Sequence, residues 1–291
     1  MQQVTVLSGK GGTGKTTLVG ALASLADSKV LADCDVDAAD LFLILEPKTI
    51  EKADFYSGKK PAVDQEKCTG CGTCTELCRY AAIKDGDVDL VECEGCGLCA
   101  LGCPEEAITM QDALCGEWFV ADTRYGPMVH ARLGIGEENS GKLVAEVRKL
   151  AQSKAQEQKL ELIIIDGPPG IGCPVISSLA GADIVLIVTE PTVAGIHDLE
   201  RLVGLAQHFN IPPLVCINKY DINTAKTRQI EEYCEQRGFK MLGKIPFDVA
   251  VVKAMVEKKT VMEYPCPEVQ KAIRNIWQGV EETLVQKGAV S

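Results

Sequence analysis

The chain is expected to fold as a doubly wound, parallel α/β sheet interrupted by a small inserted α+β module. Three observations predict this. Short apolar runs alternate with helical patterns along most of the 291 residues, which is how a βα-wound parallel sheet is written in sequence. Apolar bulk comes from Val, Ile, Leu and Ala, with aromatics at only 5%, as suits strands buried on both faces. Of fourteen cysteines, eight fall in two evenly spaced runs between Cys68 and Cys103, and there the alternation stops.

The elements follow in order. Val4, Val6 and Leu7 mark a buried strand over residues 3–7, and the run LVGALASLA continues into a helix over 15–26. A short strand over 29–33 ends in Asp33-Cys34-Asp35. The segment SGKKPAVDQEK (residues 57–67) is charged and carries Gly and Pro, so it reads as a linker into the cysteine-rich module. Beyond the module, strands are expected near 117–122, 162–166, 184–189, 214–218 and 241–245. Helices are expected near 141–156, 174–180, 194–208, 225–237, 249–257 and 267–287. The domain boundaries are then 1–57 and 113–291 for the main domain and 58–112 for the insertion. The last helix carries Val269, Ile273, Ile276, Trp277, Val280 and Leu284 on one face. Its polar face mixes Glu281 and Glu282 with Lys271 and Arg274, whereas membrane-surface helices are richer in Lys and Arg; it is expected to pack on the core.

The cysteine runs are Cys68-x2-Cys71-x2-Cys74-x3-Cys78 and Cys93-x2-Cys96-x2-Cys99-x3-Cys103-Pro104. This is the bacterial ferredoxin spacing for [4Fe-4S] cubanes, in which the fourth cysteine of each run ligates the other cluster. Cluster I is therefore expected on Cys68, Cys71, Cys74 and Cys103, and cluster II on Cys93, Cys96, Cys99 and Cys78. Zinc also takes Cys-x2-Cys pairs, but as two separated pairs and not three in a row. Disulfides fit less well, because the N-terminus MQQVTVLSGKGG carries no secretory signal. The cysteine content suits a reducing, cytoplasmic setting. No run reaches the 18 apolar residues of a membrane span. The formal charge is −11, and each cubane on four thiolates adds roughly −2. Such acidity argues against nucleic acid as a partner.

Gly9-Lys10-Gly11-Gly12-Thr13-Gly14-Lys15-Thr16-Thr17 matches the phosphate-loop pattern G-x4-G-K-[ST]. Its glycines let backbone N–H groups turn inward on phosphate, and the following helix adds its positive end. Lys15 is expected on the β- and γ-phosphates and the Thr16 hydroxyl on Mg2+. Asp33 and Asp35 end a strand beside this loop, where carboxylates suit Mg2+ water and an attacking water. Leu162-Ile163-Ile164-Ile165-Asp166 is a buried run ending in an acid, and Asp166 is expected to hold Mg2+. Asn218-Lys219-Tyr220-Asp221 follows another apolar strand, where a base-reading turn for ATP or GTP would sit.

The second lysine of the loop, Lys10 in GKGGTGKTT, resembles the deviant Walker A of the MinD/Mrp/nitrogenase iron protein family. That resemblance implies that Lys10 acts in trans across a nucleotide-sandwiched dimer, of identical chains or with a related ATPase. It also puts Asp35 in the place of the family's catalytic aspartate and Asn218 on adenine, favouring ATP. Over nearly its whole length the chain resembles MinD-superfamily P-loop ATPases with an inserted ferredoxin domain; residues 124–133, Glu138-Asn139-Ser140-Gly141-Lys142 and residues 167–174 share in the likeness. The resemblance implies ATP binding and two [4Fe-4S] clusters. The function expected first is hydrolysis of MgATP coupled to electron transfer through those clusters to a redox protein. Two other functions stay open: an iron–sulfur carrier or assembly ATPase of Mrp type, and a MinD-like regulatory ATP switch. Cys173, seven residues after Asp166, matches a position that bridges a cluster between subunits in the nitrogenase iron protein. It is a candidate for a third, interfacial cluster, with Cys115 and Cys266 as candidate companions. Cys216 and Cys234 read as small apolar fillers.

Overall fold

The computed structural model describes residues 1–134, 136–137 and 140–288. Glu138 and Asn139, part of the similarity noted above, lie outside the described residues. The chain forms two compact units. The first comprises Met1–Lys52, Trp118–Ala131 and Gly141–Ser291; the second comprises Ala53–Glu117 and Arg132–Ser140.

The first unit is built on parallel strands. β1 (Gln2–Ser8) lies between β8 (Leu162–Pro169) and β9 (Ile184–Thr189); β10 (Pro213–Asn218) and β11 (Lys240–Ile245) extend one side, and β2 (Lys29–Asp33) and β7 (Gly126–Leu133) the other. All six of these pairings are parallel. β1, β8 and β9 are almost wholly buried, which is why they read as continuous apolar runs. One face is covered by α1 (Lys15–Leu25), α2 (Leu41–Leu45), α9 (Val249–Val256) and α10 (Pro267–Gly288), the other by α6 (Cys173–Leu179), α7 (Val193–His208) and α8 (Thr224–Arg237). The six apolar residues expected on one face of the last helix are all buried against α1 and β11. Each large side chain contributes at most about 1.5–3 kcal/mol by burial.

Local chemistry sets the helix ends. Thr192 accepts from the Gly195 N–H at 2.9 Å, Asn223 from Lys226 at 3.0 Å and Asp248 from Ala250 at 2.8 Å, each satisfying an orphan donor of the first turn. Gly238 closes α8 in the left-handed conformation at φ 70°.

Several parts of the chain depart from expectation. Residues 57–63 are not linker but the second half of β3 (Lys48–Val63), whose hydrogen-bonded neighbour is β6 (Ile108–Thr123). β3 is an edge strand, so Pro61 sits where a missing N–H is tolerated. β6 starts nine residues before the expected 117. Finally, Arg124-Tyr125 joins β6 to β7 as a hairpin that the sequence did not disclose.

That hairpin is stapled to its unit by Arg124. Its guanidinium donates to both Glu263 oxygens, at 3.0 and 2.9 Å, and to the carbonyls of Ile44 and Lys258. Glu263 also accepts from the Thr260 N–H at 2.7 Å, completing a capping box. Burial opposes ionisation of Glu263, but these donors outweigh it and hold the carboxyl at about 2. Glu263→Ala is expected to cost about 1–2 kcal/mol at neutral pH, read by urea denaturation. Because the folded pKa lies below the unfolded one, this stabilisation is present above about 4.5 and is lost as pH falls towards about 2. The gap between variant and wild type should therefore narrow in acid.

Candidate functional site

The first unit gathers its polar side chains at the C-terminal ends of β1, β2, β8, β9 and β10. Ser8 ends β1, and the loop that follows turns through Gly12 at φ 78° and Gly14 at φ 95° into α1. At Gly14, whose φ of 95° favours glycine, a Cβ would stand 2.2 Å from the Asn218 amide nitrogen and would push that amide aside. That amide donates to the Thr13 carbonyl at 2.8 Å, tying the end of β10 to the phosphate loop.

Parallel register sets Asp33 beside Asp166 at the ends of β2 and β8. Lys15 reaches into this pair. Its Nζ lies 2.6 Å from Asp166 Oδ1 and 3.9 Å from Asp35 Oδ2. The lysine expected on phosphates is thus ion-paired with the expected Mg2+ ligand, and all three side chains are largely withdrawn from water. Burial alone would favour neutral Lys15, but Asp166, Asp33 and Asp35 hold its pKa above the ordinary value. Burial, with Asp166 close by, drives Asp33 well above the usual carboxylate range despite Lys15. Asp35 is half-buried and is raised to about 6 by burial, with Lys15 pulling the other way. Asp33 accepts from the N–H groups of Asp35 at 3.1 Å and Leu41 at 3.2 Å, so it braces the loop that carries Asp35. Asp166 Oδ2 is buried without a hydrogen-bond partner, an acceptor well placed for a metal-bound water.

Lys10 is half-exposed and forms a close ion pair with Glu190 at the end of β9. Glu190 also meets Lys219 Nζ at 3.5 Å, and that amine donates to the Gly12 carbonyl at 3.0 Å. Asp198 of α7 packs on Gly9, where a Cβ would come within 2.0 Å of its own Cβ. Glu190 and Asp198 carry no sequence signal, since no motif ties those positions to the loop, whereas Asp33 and Lys219 belong to the strand end and the turn already named, and the structure adds their contacts. A cleft of about 500 Å3 runs over Lys10–Thr17, Asp35, Asn218 and Lys219, with Val252 and Met255 of α9 along one wall. Its size suits a ligand as large as a nucleotide.

In the second unit the two cysteine runs are structural repeats. Gly70 and Gly95 have φ 69° and 65°, Gly72 and Gly97 have 78° and 76°, and Ala81 and Glu106 have 54° and 47°. Each run turns through its glycines into a short helix, α3 (Thr73–Leu77) or α4 (Leu98–Leu101). Leu77 fills the space over Gly102, where a Cβ would meet it at 2.2 Å. Cys68, Cys71, Cys74 and Cys103 line one depression. Cys78, Cys93, Cys96 and Cys99 line another. Each set therefore takes three cysteines from one run and one from the other. The Gly95 N–H points at Cys93 Sγ and the Ala107 N–H at Cys103 Sγ, both at 3.4 Å. Among the described residues, no three His, Cys, Asp or Glu side chains converge on a single metal ion. A cubane makes no such demand, since each of its four irons takes one thiolate.

The remaining cysteines separate cleanly. Cys216 and Cys234 are buried in β10 and α8, and burial pushes the Cys216 thiol up to about 12. Cys173 is exposed at the start of α6, whereas Cys115 and Cys266 are buried and donate to backbone carbonyls of Ser57 and Val261.

A phosphate loop between a parallel strand and a helix, facing acids on two neighbouring strands, defines a P-loop nucleotide-binding protein. Residues 4–261 match the model of the CobQ/CobB/MinD/ParA nucleotide binding domain, and the chain belongs to that family. It is 31% identical to an uncharacterized protein of Methanocaldococcus jannaschii, over 97% of both chains. It is 29% identical to the septum site-determining protein MinD of Bacillus subtilis, over 45% of this chain and 50% of that one. Its fold is that of the Pyrococcus horikoshii MinD solved with Mg-ADP, with a TM-score of 0.59, 17% identity and 98% of each chain covered. No helix among the described residues is long and apolar enough to cross a membrane.

Proposed function

We propose that the protein is an ATPase that couples nucleotide state to electron transfer through two [4Fe-4S] clusters. The observation that carries this reading is the pair of cysteine depressions, each completed by one cysteine from the opposite run, in a chain with a nucleotide-binding fold. Cluster I is assigned to Cys68, Cys71, Cys74 and Cys103, and cluster II to Cys93, Cys96, Cys99 and Cys78. Glycines in the left-handed region bring the loops close, and N–H groups aimed at sulfur suit ligands that carry negative charge. Bound there, the clusters supply one-electron chemistry.

In the nucleotide site, Lys15 leaves Asp166 for the β- and γ-phosphates. Asp166 and the Thr16 hydroxyl are the residues that would hold Mg2+, which would supply positive charge to the phosphates and to the carboxylate that Lys15 releases. Asp35 accepts a hydrogen bond from the water that attacks the γ-phosphorus. The bond to the ADP oxygen breaks as the new P–O bond forms, and the water's proton leaves with phosphate. Lys10 completes the site from a second copy or a related ATPase, which requires it to leave Glu190. The chain runs from Asp35 through α2 and β3 into the cysteine-bearing unit, so ordering this loop on nucleotide has a covalent path to the clusters.

The test is an anaerobic, EPR-monitored redox titration of the full chain with and without MgATP. Two [4Fe-4S] signals whose midpoints move with nucleotide are expected. By reciprocity, reduction must then change ATP affinity by the same factor. Two signals indifferent to MgATP would sink the coupling. Absence of the signals would sink the cluster assignment.

A further inference from the structure

The two cysteine repeats share their backbone but not the side chains around their sulfurs. Aligned on their cysteines, Thr73 of the first run corresponds to Leu98 of the second. Thr73 is half-buried at the start of α3, with its Oγ1 3.4 Å from Cys71 Sγ. In a cluster ligand the sulfur is a thiolate and has no proton to give, so the hydroxyl is the donor. Leu98 lines the other depression beside Cys96, and its side chain offers no donor.

From this asymmetry we infer that Thr73 tunes cluster I separately from cluster II, by a hydroxyl hydrogen bond that favours its reduced state. The inference rests on the cluster assignment above. A one-electron reduction adds negative charge to the cubane and its sulfurs. A donor on a ligand sulfur then interacts more strongly with the reduced form and raises the potential. Carboxylates act in the opposite direction. Asp85 and Glu105 border the first depression, and Glu94 the second. All three are exposed, so water and salt screen them, whereas the Thr73 hydroxyl makes direct contact. Proximity to the sulfur decides for Thr73.

The same EPR-monitored titration tests this on the anaerobically purified full chain, comparing wild type with T73V, T73S and L98T. Valine keeps the shape of threonine and removes only the donor. T73V is expected to lower the midpoint of one signal by roughly a tenfold change in its reduction equilibrium, or about 59 mV for one electron, and to leave the other in place. T73S retains the hydroxyl and should titrate as wild type. L98T supplies the missing donor and should raise only the signal that T73V leaves unmoved. Iron content equal to wild type shows that both clusters are loaded in each variant. If T73V moves neither midpoint or both, or if T73S behaves as T73V, the inference is overturned while the cluster assignment stands. A wild-type protein without [4Fe-4S] signals removes the assignment itself, and the inference with it.

Discussion

Lys15→Ala is expected to weaken MgATP binding roughly 10- to 100-fold, the range set by one lost hydrogen bond from a charged donor. Hydrolysis should fall by about a further 10²–10³, because the charge that develops on the phosphoryl group loses a preorganised partner. Equilibrium nucleotide binding and phosphate release measure the two losses separately. A variant that still hydrolyses ATP within a few-fold of wild type would remove Lys15 from the role assigned to it. The substitution also reaches the resting fold. It strips the cation from Asp166 at 2.6 Å and Asp35 at 3.9 Å, with Asp33 buried beside them. Removing one partner of a buried pair costs about 3–5 kcal/mol when the other stays charged. These carboxyls can instead take up protons, and Asp33 and Asp35 are raised even with Lys15 present. An acid whose folded pKa exceeds its unfolded value favours the fold most at low pH, and that advantage is lost as pH rises through the folded pKa. The instability of the variant should therefore grow as pH climbs from 3.8 through about 6 and beyond. Urea denaturation across that range gives the slope, and a flat difference from wild type would exclude this account.

Serine substitutions in pairs should distinguish which cysteines share a cluster. Cys68→Ser alone is expected to remove about half of the iron and acid-labile sulfide, since under the proposed assignment one cubane of two loses a ligand. Adding Cys103→Ser should remove little more, although Cys103 lies in the other run, because both line the same depression. Adding Cys78→Ser instead should remove nearly all of the iron, because Cys78 lines the second depression. If clusters followed the runs, these outcomes would be reversed: the pair within the first run would spare half the iron, and the pair across runs would lose it all. Zinc without labile sulfide in the wild-type protein would discard both arrangements. Metal and sulfide analysis of anaerobically purified protein reads every case.

The legibility of each element followed from its burial. β1, β8, β9 and β10 are covered on both faces, so their apolar runs needed no context. β3 could not be read this way. Its residues KTIEKADFYSGKKPAV are mostly exposed, and its extended form depends on hydrogen bonds to β6, a partner sixty residues on. The expected insertion of 58–112 consequently falls inside the second unit, which spans Ala53–Glu117 and also takes Arg132–Ser140 from beyond the hairpin. The α2 helix has five residues, too few to show a helical period.

What the sequence determined by itself was the local chemistry. The phosphate loop, the acid after the run at 162–165 and the two ferredoxin spacings are short-range patterns, since backbone turns and neighbouring ligands constrain residues only a few positions apart. Tertiary structure decided the partnerships between them. It set Lys15 against Asp166, 151 positions away, and Lys10 against Glu190. It brought Asn218 over the loop at Gly14 and carried Cys103 to the cysteines of the first run. Those contacts arise where separate strands end side by side or where two repeats close on each other. Their sequence separation is set by the lengths of the intervening helices and strands, and no local spacing rule encodes it.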